Sequence, residues 1–288
     1  MGEAKFAEGR LGSGSDWRIH YQVHGSGPDV VLLHGGGPGA TGASNYGKNI
    51  DALGQRHRCW VIDFPGWGRS SKNLNAFGAE GPFQNGARAV LAFMDALGIA
   101  QAHLVGNSFG GSSALCLAMD HPERVGKLVL MGPGGGVVAG ANGQKAGPTE
   151  GIKQLLTYYL GDGPSLEKLQ AFIQNLVHDQ SLLTPELIRQ RFDASNDPDI
   201  RANPPLVPPP GGPGKETFIS LDPRLATLAH RTLFVWGLQD KVNPVAGLEP
   251  FRVMPNADYM LLADCGHWAQ WEHPERFNDL VLSFLRYA

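Results

Sequence analysis

The sequence predicts an α/β fold: a mostly parallel sheet flanked by helices, with an inserted helical lid. Three observations lead there. Short apolar runs at 30–33, 59–64, 127–131 and 232–236 suit strands buried on both faces. Helical stripes separate them, and strand-helix alternation implies right-handed βαβ crossovers and parallel pairing. After Gly132-Pro133-Gly134 the alternation stops, and about 90 residues carry helical stripes with no clear strand. The expected organisation is a core over 1–133, a lid over 134–222 and the rest of the core over 223–288.

The first element is an exception to the parallel pattern. Trp17, Ile19, Tyr21 and Val23 alternate with Arg18, His20, Gln22 and His24, the signature of a half-buried antiparallel strand. The strand at 30–33 then runs into His34-Gly35-Gly36-Gly37-Pro38-Gly39. This loop lacks the G-K-[ST] ending of a phosphate loop. It fits the H-G-G-G loops that supply an oxyanion-hole N–H, or else is a flexible turn. A helix is expected at 45–53 and a strand at 59–64, closed by the turn residues Pro65-Gly66-Trp67-Gly68. Val90, Leu91, Phe93, Met94 and Leu97 form a helical stripe over 88–97.

The next strand ends at Leu104-Val105 and opens into Gly106-Asn107-Ser108-Phe109-Gly110, followed by helical residues 112–119. Strand, sharp turn and helix around G-x-S-x-G are the context of a nucleophile elbow. In the lid, helices are expected at 152–160, 166–177 and 185–192. Pro204, Pro205, Pro208, Pro209, Pro210 and Pro213 exclude helix and central strand from 203–214, leaving a stiff extended connector. The sheet resumes at 232–236 and leads to Asp240; a helix at 248–254 and a strand at 259–262 precede Asp264-Cys265-Gly266-His267. A final helix with Phe277, Leu280, Val281, Phe284 and Leu285 apolar covers the sheet.

Composition narrows the partners. A net charge of -3 with no Lys/Arg cluster disfavours nucleic acid and anionic membranes. No apolar run approaches the ~18 residues of a membrane span, and the first residues lack the apolar segment of a signal peptide. Cys59, Cys116 and Cys265, scattered and odd in number, suit reduced thiols in the cytoplasm and no metal site. No metal or organic cofactor is expected.

A serine hydroxyl attacks only when a base takes its proton and a carboxylate orients the base. Ser108, Asp240 and His267 stand in the chain order Ser-Asp-His, each directly after an expected strand. His267 stands out from the ten histidines because it lies in a Gly-flanked loop behind a strand. Asp264, nearer to His267 in sequence, is the rival orienter; Asp240 is preferred because it closes a strand-loop unit of its own.

These motifs, with Asn45-Tyr46, Asn49, Gly132-Pro133-Gly134-Gly135, Pro148-Thr149-Glu150-Gly151, Arg191-Phe192 and Cys265-Gly266-His267-Trp268-Ala269-Gln270-Trp271-Glu272, resemble the α/β-hydrolases. Within that group the chain resembles the meta-cleavage product hydrolases, which cleave a C–C bond of 2-hydroxy-6-oxo-dienoates in aromatic compound degradation. The likeness spans the chain except 200–218. It implies Ser108 as nucleophile, His267 as base, Asp240 as orienter, and the Gly36 and Phe109 N–H groups as oxyanion hole. It further implies that Arg191, helped by Asn107 and Trp268, pairs with the substrate carboxylate, and that Asn49 holds the oxygen near C2. Arg189 is the alternative cation. The implied partner is a small-molecule dienoate, and the implied assembly a homo-oligomer, dimeric or higher.

The implied chemistry ketonises the dienol, then attacks the C6 carbonyl with Ser108 or with a water that Ser108 and His267 activate. The connector at 203–214 departs from the family pattern, which leaves the C6 substituent open. Tyr158, Tyr159, Phe172 and Phe192 are candidates to line its pocket, with core packing as their ordinary role. The competing function is a carboxylesterase or lactonase on the same triad; a non-catalytic ligand receptor is a third. Dehalogenase and epoxide hydrolase chemistry is excluded by Ser108, since those elbows carry Asp.

Overall fold

The structure, a computed structural model, describes residues 5–78, 80–134, 147–206 and 219–286. Eight strands form one sheet: β1 (Lys5–Arg10), β2 (Asp16–His24), β3 (Asp29–Leu33), β4 (Arg58–Ile62), β5 (Ala102–Asn107), β6 (Val125–Met131), β7 (Thr232–Gly237) and β8 (Ala257–Leu262). Their spatial order is β1-β2-β4-β3-β5-β6-β7-β8. β1 and β2 pair antiparallel, β2 pairs antiparallel with β4, and all later pairings are parallel.

The apolar runs explain the parallel part. Val31 and Leu33 join Leu104, Leu128, Leu130, Phe234 and Trp236 in a core on one face, packed by α3 (Pro82–Ala96) and α4 (Phe109–Asp120). Val30 and Leu32 join Val105, Val129, Met131, Leu233 and Val235 on the other face, beneath the last helix, Pro274–Arg286. β3, β5, β6 and β7 therefore alternate between two buried faces, and each large side chain removed from water contributes roughly 1.5–3 kcal/mol.

The strand order positions the site. β3 has β4 on one side and β5 on the other, so the chain reverses its direction of growth there. Such a switch point leaves a crevice beyond the carboxyl ends of the strands, where ligands bind in open α/β sheets. The loops after β3, β5, β6, β7 and β8 all leave from that edge. Between β6 and β7 the described residues are helical: α5 (Glu150–Thr157), α6 (Leu166–Ile173), α7 (Pro185–Ser195) and α8 (Pro198–Ala202). Tyr158, Leu169, Phe172, Ile173, Leu176 and Val177 of this insertion cluster with Val242 and Trp268 of the sheet loops. No helix of the described residues is long and apolar enough to cross a membrane.

Several expectations need correction. The helix expected at 45–53 is two short helices, α1 (Gly42–Tyr46) and α2 (Ile50–Gly54), because the first ends at Gly47. The segment expected as an α-helix at 248–254 is a 3₁₀ stretch, Val245–Val253, since Pro250 inside it lacks the N–H an α-helix needs. β1 was not expected; its pattern of Phe6 and Ala7 beside charged residues is too short to read. Gly135 and most of the Pro-rich connector, including Pro208, Pro209, Pro210 and Pro213, lie outside the described residues.

Candidate active site

Ser108 is held at φ 52°, ψ −114° between β5 and α4. A side chain rarely adopts that backbone, and it costs about 1–3 kcal/mol. Glycines make the turn possible. A Cβ on Gly106 would lie 2.6 Å from the Gly111 nitrogen, and one on Gly110 would lie 2.3 Å from the Leu33 carbonyl oxygen. The Ser108 N–H donates to the Met131 oxygen at 2.8 Å, which pins the turn to β6. Phe109 opens α4, so its N–H has no acceptor within the helix.

The loop after β3 lies against this turn. A Cβ on Gly36 would stand 3.1 Å from the Phe109 Cβ, so the two backbones run side by side. His34, fully buried, fixes the loop: its Nε2 accepts from the Phe64 N–H at 2.9 Å, and its Nδ1 donates to the Gly35 oxygen at 2.7 Å. Burial pushes its pKa down to about 4, so the imidazole is neutral and structural.

His267 and Asp240 come from the loops after β8 and β7. His267 Nδ1 donates to Asp240 Oδ2 at 2.7 Å, with both side chains almost wholly buried. Asp240 Oδ1 accepts the N–H groups of Val242 and Asn243, each at 2.8 Å, so the carboxylate cannot rotate away. Gly132 gives the imidazole room: a Cβ there would lie 2.9 Å from His267 Cε1. Asp264 points elsewhere. Its side chain is 82% exposed, and its Oδ1 lies 3.8 Å from His178 Nε2.

Ser108 and His267 share a small cavity that Gly36, Asn45, Asn107, Phe172, Arg191 and Trp268 also line. Arg191, on α7, is fully buried. Its Nε donates to the Pro38 oxygen at 2.8 Å, its guanidinium stacks 5.0 Å from the Trp268 ring centre, and its Nη1 has no hydrogen-bond partner. Burial pushes its pKa down to about 10, partly offset by Tyr159 and Tyr158, and it stays a cation at neutral pH. The loop glycines admit it. A Cβ on Gly37 would fall 2.9 Å from Arg191 Nη2, and one on Gly39 2.0 Å from its backbone oxygen. Arg189, by contrast, is exposed and pairs with Asp193.

Two substrate-binding expectations change. Asn49 does not line the cavity: its Nδ2 donates to the Gln270 oxygen and to Asn278 Oδ1, both at 2.9 Å. Asn45 reaches the cavity instead, its Oδ1 accepting from the Gly35 N–H at 3.3 Å. The break at Gly47 is the reason, since only a continuous helix would put 45 and 49 on one face. Asn107 does reach the cavity, but its Nδ2 is used on the backbone oxygens of His267 and Met131. The atom left over is Oδ1, an acceptor, which suits a hydroxyl and not a carboxylate. Of the four candidate lid aromatics, Phe172 lines the cavity; the Tyr158 hydroxyl is engaged by Ser195 at 2.6 Å.

Comparison with known proteins gives a consistent picture. A family profile described as alpha/beta hydrolase fold matches residues 29–274. A 2-hydroxy-6-oxononadienedioate/2-hydroxy-6-oxononatrienedioate hydrolase of Burkholderia vietnamiensis is 41% identical over 285 residues, covering 95% of this chain and 92% of the relative. A 2-hydroxy-6-oxo-6-phenylhexa-2,4-dienoate hydrolase of Comamonas testosteroni is 41% identical over 290 residues, covering 98% and 95%. The solved structure of the meta-cleavage product hydrolase CumD from Pseudomonas fluorescens IP01 superposes with a TM-score of 0.82 at 30% identity, covering 99% of this chain and 97% of that one.

Proposed function

The chain belongs to the α/β-hydrolase family, and from that premise we propose that Ser108, His267 and Asp240 form its catalytic triad. The enzyme is a C–C bond hydrolase of 2-hydroxy-6-oxo-dienoate meta-cleavage products in aromatic compound degradation. One observation carries the assignment of the site: Arg191 is a buried cation with an unpaired Nη1, and among the described residues no carboxylate pairs with it. A buried charge without a partner costs several kcal/mol, so the site is built to receive an anion. A planar dienoate with a carboxylate at one end supplies one, and a guanidinium fork matches it in two hydrogen bonds.

The reaction then follows from the geometry. Arg191 holds the carboxylate while Asn107 Oδ1 accepts from the C2 hydroxyl. His267 moves the enol proton to C5, so that the C5–C6 bond can break with its electrons entering the keto acid. Ser108 attacks the C6 carbonyl as His267 takes its proton, and the Gly36 and Phe109 N–H groups stabilise the oxyanion. Cleavage of C5–C6 leaves an acyl-serine and a 2-hydroxydienoate. Water, activated by His267, releases the acid and restores Ser108. Phe172 and Trp268 keep the cavity apolar around the reacting carbons, which strengthens each electrostatic contact. The same reading makes the protein a cytoplasmic homo-oligomer; Cys59, Cys116 and Cys265 are all free and buried.

Arg191→Gln tests the assignment. It is expected to weaken kcat/KM on a carboxylate-bearing dienoate by about 2–3 kcal/mol, or roughly 30- to 150-fold. Hydrolysis of a neutral nitrophenyl ester should be nearly unchanged. Equal losses on both substrates would assign Arg191 a structural role only.

A further inference from the structure

The loop that carries His267 is held almost entirely from outside itself. It leaves β8 at Leu262 and turns at Asp264, where φ is 53°. The N–H groups of His267 and Trp268 both donate to the Leu176 oxygen, at 2.8 and 3.2 Å. The Gly266 N–H donates to Glu272 Oε1 at 2.7 Å. The other oxygen of the same carboxylate, Oε2, accepts from the His178 N–H at 2.6 Å and the Asp179 N–H at 3.4 Å. Glu272 also closes the loop through its backbone, donating to the Trp268 oxygen at 2.8 Å. One half-buried carboxylate thus joins the His267 loop to the segment 176–179, which continues from α6 of the inserted helices.

Gly266 cannot find another position. A Cβ there would stand 2.9 Å from the His178 nitrogen and the Leu176 oxygen, while a Cβ on Gly237 would lie 2.1 Å from the Gly266 oxygen. The backbone before His267 is therefore clamped between the end of β7 and the segment after α6. Inside that clamp only an acceptor with two free oxygens satisfies all three N–H donors. A carboxylate does this. An amide puts an NH₂ against one of the donors, and the shorter aspartate cannot span both segments.

Resting on the reading of His267 as the catalytic base, we propose that Glu272 is a positioning residue. Its carboxylate sets the register of the His267 loop against the inserted helices and so holds the imidazole on Ser108. Burial pushes this carboxyl above the ordinary range against the pull of the three N–H donors.

The test compares Glu272→Gln with Asp264→Asn in the full-length protein. Asp264 lines the same surface groove, has no contact with the imidazole, and sits in a left-handed conformation that asparagine tolerates. Two quantities are read: kcat and KM for bleaching of a dienolate, and the low-field proton resonance of the His267 Nδ1–H bonded to Asp240. Glu272→Gln is expected to lower kcat by about 10- to 100-fold with KM nearly unchanged, and to shift or broaden that resonance, while thermal unfolding shows folded protein at the assay temperature. Asp264→Asn should match wild type in both. Should Glu272→Gln not yield folded protein, Glu272→Asp carries the test with the same two readouts. Wild-type kcat, or activity lost only in step with folded protein while the resonance stays in place, would overturn the proposal. Failure of the wild type to bleach any dienolate would instead count against the functional reading, and the resonance comparison would still decide whether Glu272 positions His267.

Discussion

Ser108→Ala is expected to lower dienoate turnover by about 10³-fold or more and leave the dienolate bound, because members of a triad act as a unit. The substitution removes one oxygen and keeps the Cβ that the φ 52° turn already accommodates. The elbow itself is held by backbone groups, the Ser108 N–H on the Met131 oxygen and the Ser112 N–H on the Ser108 oxygen, and none of these changes. Arg191, Trp268 and Asn107 line the cavity independently of the hydroxyl. Mixing the variant with a dienolate should therefore shift its absorbance without bleaching it. Turnover within about tenfold of wild type would remove Ser108 from the mechanism.

Asp240→Asn is expected to lower turnover by about 10³- to 10⁴-fold with little change in fold. Both carboxylate oxygens are committed: Oδ2 to His267 Nδ1, Oδ1 to the N–H groups of Val242 and Asn243. An amide cannot accept at both ends. Turned to keep its oxygen on the two backbone donors, it presents NH₂ to His267 and forces the tautomer whose Nε2 carries a proton. That imidazole cannot take a proton from Ser108. Asp264→Asn, by contrast, alters a side chain that is 82% exposed and should leave kcat/KM within about twofold of wild type. Steady-state kinetics on both variants checks the pair, and a larger loss from Asp264→Asn would transfer the orienting role.

The elbow was legible because its chemistry is local. Gly106 is forced by the backbone of Gly110 and Gly111, a few residues away, so the G-x-S-x-G spacing reveals the turn, although Gly110 itself is forced by the distant Leu33 carbonyl. The order Ser108, Asp240, His267 was legible because each residue follows a strand, and parallel strands end at one edge of a sheet. Other parts of the site depend on contacts between distant elements, which local pattern does not carry. Gly37 and Gly39 read as loop residues, yet the space they leave is occupied by Arg191 from α7. The role of Asn49 came from resemblance alone, and its engagement with Gln270 and Asn278 depends on segments more than 200 residues away. Asn107 was read as a donor, but its donor is used on the backbone oxygens of His267 and Met131. Glu272 carried no role in the sequence beyond closing the Cys265–Glu272 motif, because its three partners are backbone N–H groups from two separate segments.

The central claim is that this triad cleaves a carbon–carbon bond, and bleaching of a dienolate tests it most directly. An ester brings a good leaving group, so a triad and an oxyanion hole suffice. A carbon leaving group departs only after C5 has been protonated with the carboxylate end held in register, which is the work assigned to His267, Arg191 and Asn107. Purified protein mixed with a ring-cleaved catechol or biphenyl diol should bleach the yellow dienolate with turnover and no added metal or cofactor, releasing an acid and a 2-hydroxydienoate. Brisk cleavage of nitrophenyl esters beside dienolates that keep their colour, whether their C6 substituent is phenyl, alkyl or fused aromatic, would contradict the account and identify an esterase.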